Sequence, residues 1–165
     1  MRRLAVAAIA ALSIPCLSAQ ADEALAVHVA QLTLDSATQM ARGAIAACRK
    51  AGYQVAVTVV DRDGITQVAL RDTLAPPVAL RISFDKAYTS AMFEAKGTAL
   101  ERTRAHSPLA QAGEHLAFSG GAVPIEAGGI FYGAIGVSGT PEGRLDERCA
   151  AAGLAVLKDD LEMQP

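Results

Sequence analysis

The chain has 165 residues, a formal net charge of −2 at pH 7, no tryptophan, three tyrosines and four phenylalanines. This length suits one domain with a substantial hydrophobic core. The slight acidity, the lack of a basic patch and the few aromatic side chains that could stack on bases exclude a typical nucleic-acid-binding protein.

The first segment has the pattern of an export signal. Arg2 and Arg3 precede an apolar run, Leu4 to Leu17, and a small-residue cleavage site ends at Ala21. The run is too short for a stable membrane span. We expect cleavage after Ala21 and a single domain over residues 22–165, with its core at about residues 32–161. The mature protein would be periplasmic or secreted and free of the membrane, and a retained N-terminal anchor is the alternative.

The first half of the mature chain predicts a helix, a hairpin and a second helix. Thr33 stands as a capping residue before an amphipathic, alanine-rich pattern that ends near Gly52. Two β-branched or alternating runs then flank the Asp63-Gly64 pair, which is typical of a hairpin turn. Pro76-Pro77 favours a helix start directly after it, and this helix is predicted over Val78 to Ala95.

The second half predicts a glycine-rich hairpin followed by a closing helix. Gly120 to Gly139 contains two extended runs around Gly128-Gly129, and glycine at both turn positions permits the positive φ of a two-residue turn. A helix is predicted over Leu145 to Leu161. Hairpins separated by helices, without βαβ alternation, indicate an α+β fold with an antiparallel sheet.

Two cysteines remain after Cys16 leaves with the signal. Cys48 and Cys149 both fall in predicted helices, on faces rich in small apolar residues. An exported protein permits a disulfide between them. Because free cysteine is among the most buried residue types, two buried thiols are the favoured interpretation, and the disulfide stays open.

Several stretches together resemble the GlcG/HbpS family of haem-binding and haem-degrading domains, which also occurs at the C-terminus of some PduO-type proteins. The resemblance covers roughly Leu32 to Leu157. It is carried by the hairpin Val55 to Gly64, the helix stretch Phe84 to Thr89, the glycine stretches Gly120 to Ile125 and Gly133 to Gly139, the pair Asp146-Glu147, and Cys149.

The resemblance implies a profilin-like or Roadblock-like α+β domain with about five antiparallel strands and helices packed on the faces of the sheet. It also implies a homo-oligomer and haem as a cofactor, since some exported members bind haem and are linked to redox sensing. The predicted function is therefore an exported haem- or tetrapyrrole-binding protein of the GlcG/HbpS type, acting as a carrier or as a redox-sensing accessory.

The candidate ligand site centres on His115. Histidine is the commonest haem iron ligand, and His115 lies just before the glycine hairpin, although an exposed or capping histidine is the simpler interpretation. Lys86 lies in the matching helix stretch, where its charge could pair with a haem propionate. The predicted ligand-binding residues are Lys86, Tyr88, His115, Gly120, Gly121 and Pro124, with His115 as the metal ligand.

No familiar catalytic set is present in the sequence. It has no Gly-x-Ser-x-Gly, no HExxH and no phosphate-binding loop, so a binding protein is favoured and enzymatic activity stays open. The alternative function is a subunit or enzyme that holds a small carboxylate-type metabolite in the same glycine-lined cleft. A purely structural oligomer is the third hypothesis. Asp61 and Asp63 could bind a cation, but hairpin-turn chemistry alone explains both residues.

Overall fold

The computed structural model describes residues 25–164, so the predicted signal peptide, its cleavage site and residues 22–24 of the mature leader lie outside the described residues. Within residues 25–164 there are six helices and four strands. The helices are α1 (Leu34–Lys50), α2 (Val78–Phe93), α3 (Gly97–Arg104), α4 (Leu109–Ala112), α5 (Gly143–Ala155) and α6 (Lys158–Glu162). The strands are β1 (Ala56–Asp61), β2 (Thr66–Arg71), β3 (Ala122–Ala127) and β4 (Ile130–Ser138).

The strands form one antiparallel sheet in the order β2-β1-β4-β3. The central contact joins the two hairpins, with Ala56 opposite Ser138 and Asp61 opposite Gly133. The α+β class is confirmed. In the described residues the sheet has four strands, one fewer than the predicted number of about five, because the remaining segments of the domain fold as helices and loops.

Both predicted hairpin turns are confirmed. Gly128 and Gly129 have φ values of 59° and 77°, as a type I′ turn requires. At the other hairpin, Gly64 has φ 79°. There the Asp61 carboxylate accepts hydrogen bonds from the Asp63 amide (3.0 Å) and the Ile65 amide (2.8 Å), so turn chemistry accounts for Asp61.

Helix α1 begins as predicted, and α2 ends two residues earlier than predicted. The Thr33 hydroxyl accepts a hydrogen bond from the Ser36 amide at 3.2 Å, which caps α1. Helix α2 stops at Phe93 because Glu94 adopts a left-handed conformation, with φ 46°.

The predicted closing helix is two helices. Helix α5 ends at Ala155, and the chain tightens there, with the Val156 amide bonded to the Gly153 carbonyl and the Leu157 amide to the Leu154 carbonyl. Leu157, with φ −130° and ψ 4°, is not helical, and α6 follows it. The bend lets Leu161 bury itself against the core.

Cys48 and Cys149 form a disulfide that joins α1 to α5, with the two Cα atoms 5.5 Å apart. The favoured interpretation of two free thiols was therefore wrong. The physical reason is how closely the helices approach: a Cβ on Gly153 would lie 2.6 Å from the Met40 carbonyl oxygen. Small residues on both helices allow the two cysteines to meet.

The two faces of the sheet are covered by different helices and bury hydrophobic clusters of different size. Helices α1 and α5 cover one face, over a large core that contains Val55, Val57 and Val59. Helix α2 covers the other face, where the buried hydrophobic cluster contains only Val60, Ala87, Ala91 and Ala134. No helix in residues 25–164 is long and apolar enough to cross a lipid bilayer.

Candidate functional site

His115 lies in the connection between α4 and β3 and has an unusual backbone conformation. Its φ is 65°, in the left-handed region that few residues other than glycine occupy. Its side chain is 47% exposed, and Nδ1 lies 3.0 Å from Oδ1 of Asp85 on α2. A strained residue that is also held by a buried carboxylate is typical of a functional position.

The main chain around His115 is fixed by a buried threonine. The Thr89 hydroxyl lies 3.2 Å from the His115 carbonyl oxygen, and it accepts a hydrogen bond from the Ala117 amide at 2.7 Å. Thr89 is fully buried on α2. Helix α2 therefore holds both the backbone and the imidazole of His115, which offsets the cost of the strained conformation.

Two aromatic side chains of α2 complete what we call the His115 cluster: Phe84, Asp85, Tyr88 and His115. The imidazole meets the Phe84 ring edge-on at 5.1 Å and the Tyr88 ring at 6.2 Å. The Phe84 and Tyr88 rings are 5.9 Å apart. Such tilted aromatic contacts orient a ring as well as bury it.

The outer rim of the His115 cluster is apolar on one side and cationic on the other. The Tyr88 ring lies against the β1–β2 turn, where a Cβ on Gly64 would be 2.6 Å from it. Ile65 and Met92 are close to this contact and are 65% and 39% exposed. On the other side, Arg81 Nε lies 3.8 Å from Asp85 Oδ2, one helical turn away on α2.

The arrangement leaves one imidazole nitrogen available. Asp85 occupies Nδ1, and no group within residues 25–164 hydrogen-bonds Nε2. A carboxylate on one ring nitrogen is the usual partner of a histidine that binds a metal through the other nitrogen. Within the described residues no group of three or more His, Cys, Asp or Glu side chains could hold a metal ion by itself.

Lys86 lies on α2 beside this cluster but points into the protein. It is buried, and its Nζ lies 2.8 Å from Asp146 Oδ2 and 3.4 Å from the Val137 carbonyl oxygen. Asp146 also accepts a hydrogen bond from the Thr140 amide at 3.0 Å. The ammonium group is therefore engaged by internal acceptors, and a ligand role for Lys86 stays a prediction.

Gly120 and Gly121 form a closely packed segment rather than an open loop. We call it the glycine crossing, because the main chain there passes directly over Lys86 and Gly143. Gly121 has φ 130°, and a Cβ there would lie 2.7 Å from Lys86 Nζ. The Gly120 amide donates to Glu101 Oε2 at 3.1 Å, and the Gly121 amide donates to Glu147 Oε2 at 3.5 Å. Both glycines are buried, so the space that they leave is filled by the protein itself.

The structure thus distributes the predicted site residues over three places. Tyr88 and His115 come together, Lys86 lies under Gly121, and Pro124 lies on the edge strand β3, where it lines a cleft of about 470 Å³. Sequence reasoning missed Asp85 as the partner of His115. The two residues are 30 positions apart, and the only local signal was the spacing of Asp85 from Arg81.

The family model and the solved structures that match this chain point to the same family. The family model described as haem degrading protein HbpS-like matches residues 32–155. A crystal structure of a double mutant of Streptomyces reticuli HbpS is 37% identical, covers 87% of this chain and 99% of its own, and superposes with a TM-score of 0.76. No protein of curated function matches the chain significantly.

Two more distant structures share the fold. Klebsiella pneumoniae ORFY is 23% identical over 88% of this chain and 100% of its own, with a TM-score of 0.75. The PduOC protein, solved as a haem complex, is 21% identical over 76% of this chain and 94% of its own, with a TM-score of 0.70.

Proposed function

The chain belongs to the HbpS-like family of haem degrading proteins, and on that premise we propose that it binds haem or a related tetrapyrrole at the His115 cluster. The observation that carries the proposal is the 3.0 Å contact between His115 Nδ1 and Asp85, beside two aromatic rings. In this proposal His115 Nε2 is the protein ligand to the iron.

The chemistry of the cluster fits such a ligand. Bound haem would supply an iron centre that already carries four porphyrin nitrogens, so one histidine from the protein is a sufficient anchor. Asp85 holds the imidazole in one orientation, with Nε2 directed away from the carboxylate. Thr89 holds the main chain of His115 in place, so little conformational freedom is lost on binding.

The surface beside His115 suits a flat apolar ring with acidic substituents. Tyr88 lies beside the imidazole, and Ile65 and Met92 offer exposed apolar area where the Tyr88 ring meets the β1–β2 turn. Arg81 is 76% exposed and lies next to Asp85, where its guanidinium could pair with a propionate. Gly120, Gly121 and Lys86 would support the site from within, through the packing of Gly121 on Lys86.

We further propose that the protein acts outside the cytoplasm, as a homo-oligomeric carrier or redox-sensing accessory. The support for export is the signal pattern that ends at Ala21 and the Cys48–Cys149 disulfide, since disulfides persist mainly in oxidising compartments. Cell fractionation of the expressed full-length chain, followed by N-terminal sequencing of the product, tests the export. An uncleaved product that is found inside the cell and still begins with residues 1–21 contradicts it.

Haemin titration tests the ligand assignment. We expect His115→Ala to shift the Soret band and to weaken haemin binding by about tenfold or more, because the iron loses its protein ligand. Asp85→Asn should keep the ligand but weaken binding within the range of about 10- to 100-fold that is typical of outer-shell partners. The matched control is His106→Ala, since His106 is exposed in the preceding connection, between α3 and α4.

The same titration can contradict the assignment. If His115→Ala binds haemin with the wild-type spectrum and affinity, His115 is not the ligand. A variant of the exposed leader histidine, His28→Ala, serves as a second comparison. If His28→Ala changes the Soret band and His115→Ala does not, the iron is bound by the leader and the His115 cluster is not the site.

A further inference from the structure

A second concave surface lies apart from the His115 cluster and shares no residue with it. This surface, which we call the basic cleft, lies between α3 and α5 above Val123 of β3 and has a volume of about 910 Å³. Four cationic side chains line it: Lys96, Arg102, Arg144 and Arg148.

The cations come from both walls of the basic cleft. Arg144 and Arg148 are four residues apart on α5 and therefore share one helix face, together with Ala151. On the opposite wall, Arg102 lies on α3, and Lys96 is the residue directly before that helix begins. The two helices contact each other, so their charged faces open onto the same space.

None of these four cations forms an ion pair with a carboxylate in the part of the chain that the structure describes. Among residues 25–164, none of the four comes within 4.0 Å of a carboxylate oxygen. Glu147 is nearby, but it accepts hydrogen bonds from the Thr98 amide (2.7 Å) and hydroxyl (2.6 Å). Glu101 likewise accepts from the Gly120 amide.

The charge of the basic cleft is opposite in sign to that of the whole chain. Its lining contains four cations and three carboxylates, the third being the exposed Glu142, whereas the chain carries a formal net charge of −2. Clefts that concentrate one sign of charge raise the local concentration of ligands of the other sign. The donors facing this space therefore favour an anion.

We propose that the basic cleft is a binding site for a small organic polyanion with two or more carboxylate or phosphate groups. A multivalent ligand is indicated because the cations lie on both walls, and one group of the ligand can engage each wall. Arginine forks bind carboxylate and phosphate in a bidentate manner. Lys96 also lines the neighbouring cleft at Pro124, so an elongated ligand has room to extend along β3.

Isothermal titration with three defined probes tests the proposal: citrate, succinate and pyrophosphate, at fixed ionic strength. We expect saturable binding of at least one probe at one site per chain. Arg144→Gln with Arg148→Gln should weaken it by about 100-fold, because two charge-assisted contacts are lost and each contributes roughly one factor of ten. The relative affinities of citrate and pyrophosphate distinguish a carboxylate ligand from a phosphate ligand.

Arg62→Gln is the matched control, since Arg62 is exposed in the β1–β2 turn and lies outside the basic cleft. An equal loss of affinity in Arg62→Gln, or no saturable binding of any probe, overturns the proposal. Haemin binding by the Arg144/Arg148 variant should stay at the wild-type level. If that variant loses haemin affinity while no probe binds the wild type, the proposal is also overturned, and the porphyrin occupies the basic cleft.

Discussion

The two faces of the sheet are built from different kinds of side chain. The face under α1 and α5 is apolar almost throughout and is cross-linked by the Cys48–Cys149 disulfide. The face under α2 buries few hydrophobic residues. It carries two buried polar pairs, Thr58 with Ser83 at 2.8 Å and Lys86 with Asp146, and the half-exposed pair of Asp85 with His115.

This difference separates stability from chemistry. Apolar burial stabilises the fold without specifying any ligand, and the α1/α5 face supplies most of it. Buried polar groups cost free energy unless each is paired, so the α2 face stabilises the fold less than an apolar face of the same size would. In our proposal its paired groups are retained because they orient the imidazole of His115 and support the glycine crossing.

The largest expected effect of a mutation is on the α1/α5 face. Cys48→Ala with Cys149→Ala should lower the free energy of unfolding by about 4–5 kcal/mol, because the disulfide closes a loop of 101 residues in the unfolded chain. Urea unfolding of the variant and of the oxidised wild type measures this. Haemin affinity of the folded variant should be unchanged.

The reduced wild-type protein is the control for that experiment, and it should match the double variant. A loss below about 1 kcal/mol would mean that the cross-link is dispensable. Packing alone would then stabilise the α1/α5 face. The two faces of the sheet would differ only in the hydrophobic area that they bury.

A smaller effect is expected on the α2 face. Lys86→Met should lower stability by about 3 kcal/mol, because Asp146 is left as a buried charge that, among residues 25–164, keeps only the Thr140 amide as a partner. Lys86→Met combined with Asp146→Asn should recover part of this loss, since no unpaired charge remains. Thermal and urea unfolding of the single and double variants measure both changes.

The control for Lys86 is Lys158→Met, which breaks an exposed i, i+4 pair with Glu162 and should change stability by less than about 0.5 kcal/mol. If Lys86→Met is as mild as this control, the buried pair is not a significant part of the α2 face. If the double variant is no more stable than Lys86→Met alone, the loss comes from packing rather than from the stranded carboxylate.

Much of the fold could be predicted from sequence because its signals are local. The Thr33 cap and the Gly128-Gly129 turn each act within a few residues, and both were confirmed. The break between α5 and α6 was missed, since the apolar spacing continues through it while the hydrogen-bonding pattern changes.

The candidate site was less accessible to sequence reasoning because its contacts are distant in the chain. Lys86 pairs with a residue 60 positions away, and Glu147 holds the Thr98 amide across 49 positions. No periodicity records such contacts, and only the folded arrangement of α2, α3 and α5 creates them. The disulfide was left open for the same reason, since helix faces do not reveal their partner.

The smallest expected effect is a pH dependence on the β2 side of the α1/α5 face. Hydrogen bonds of 2.6 Å from Arg49 to the buried Asp72 hold the pKa of that carboxyl below its ordinary value. A lowered pKa contributes stability above the ordinary carboxyl pKa of about 3.9, and that contribution is lost as pH falls below it. Because the Arg49 side chain is 61% exposed, the pair is partly screened.

Asp72→Asn tests this contribution. The stability difference between wild type and variant should be constant from pH 7 to pH 5 and should shrink below about pH 4, as wild-type Asp72 takes up a proton. Urea midpoints at several pH values measure it, and added salt should reduce the difference at pH 7. A difference that grows as the pH falls would contradict the assigned direction of the pKa shift.

The pairing of β1 with β4 constrains the order in which the chain can fold. Strand β1 gains its second neighbour only after β4 has been synthesised, and Cys48 meets its partner only when α5 is present. The β1–β2 hairpin on its own is too small to be stable in water. The sheet is therefore complete, and the disulfide can form, only once nearly the whole chain is available.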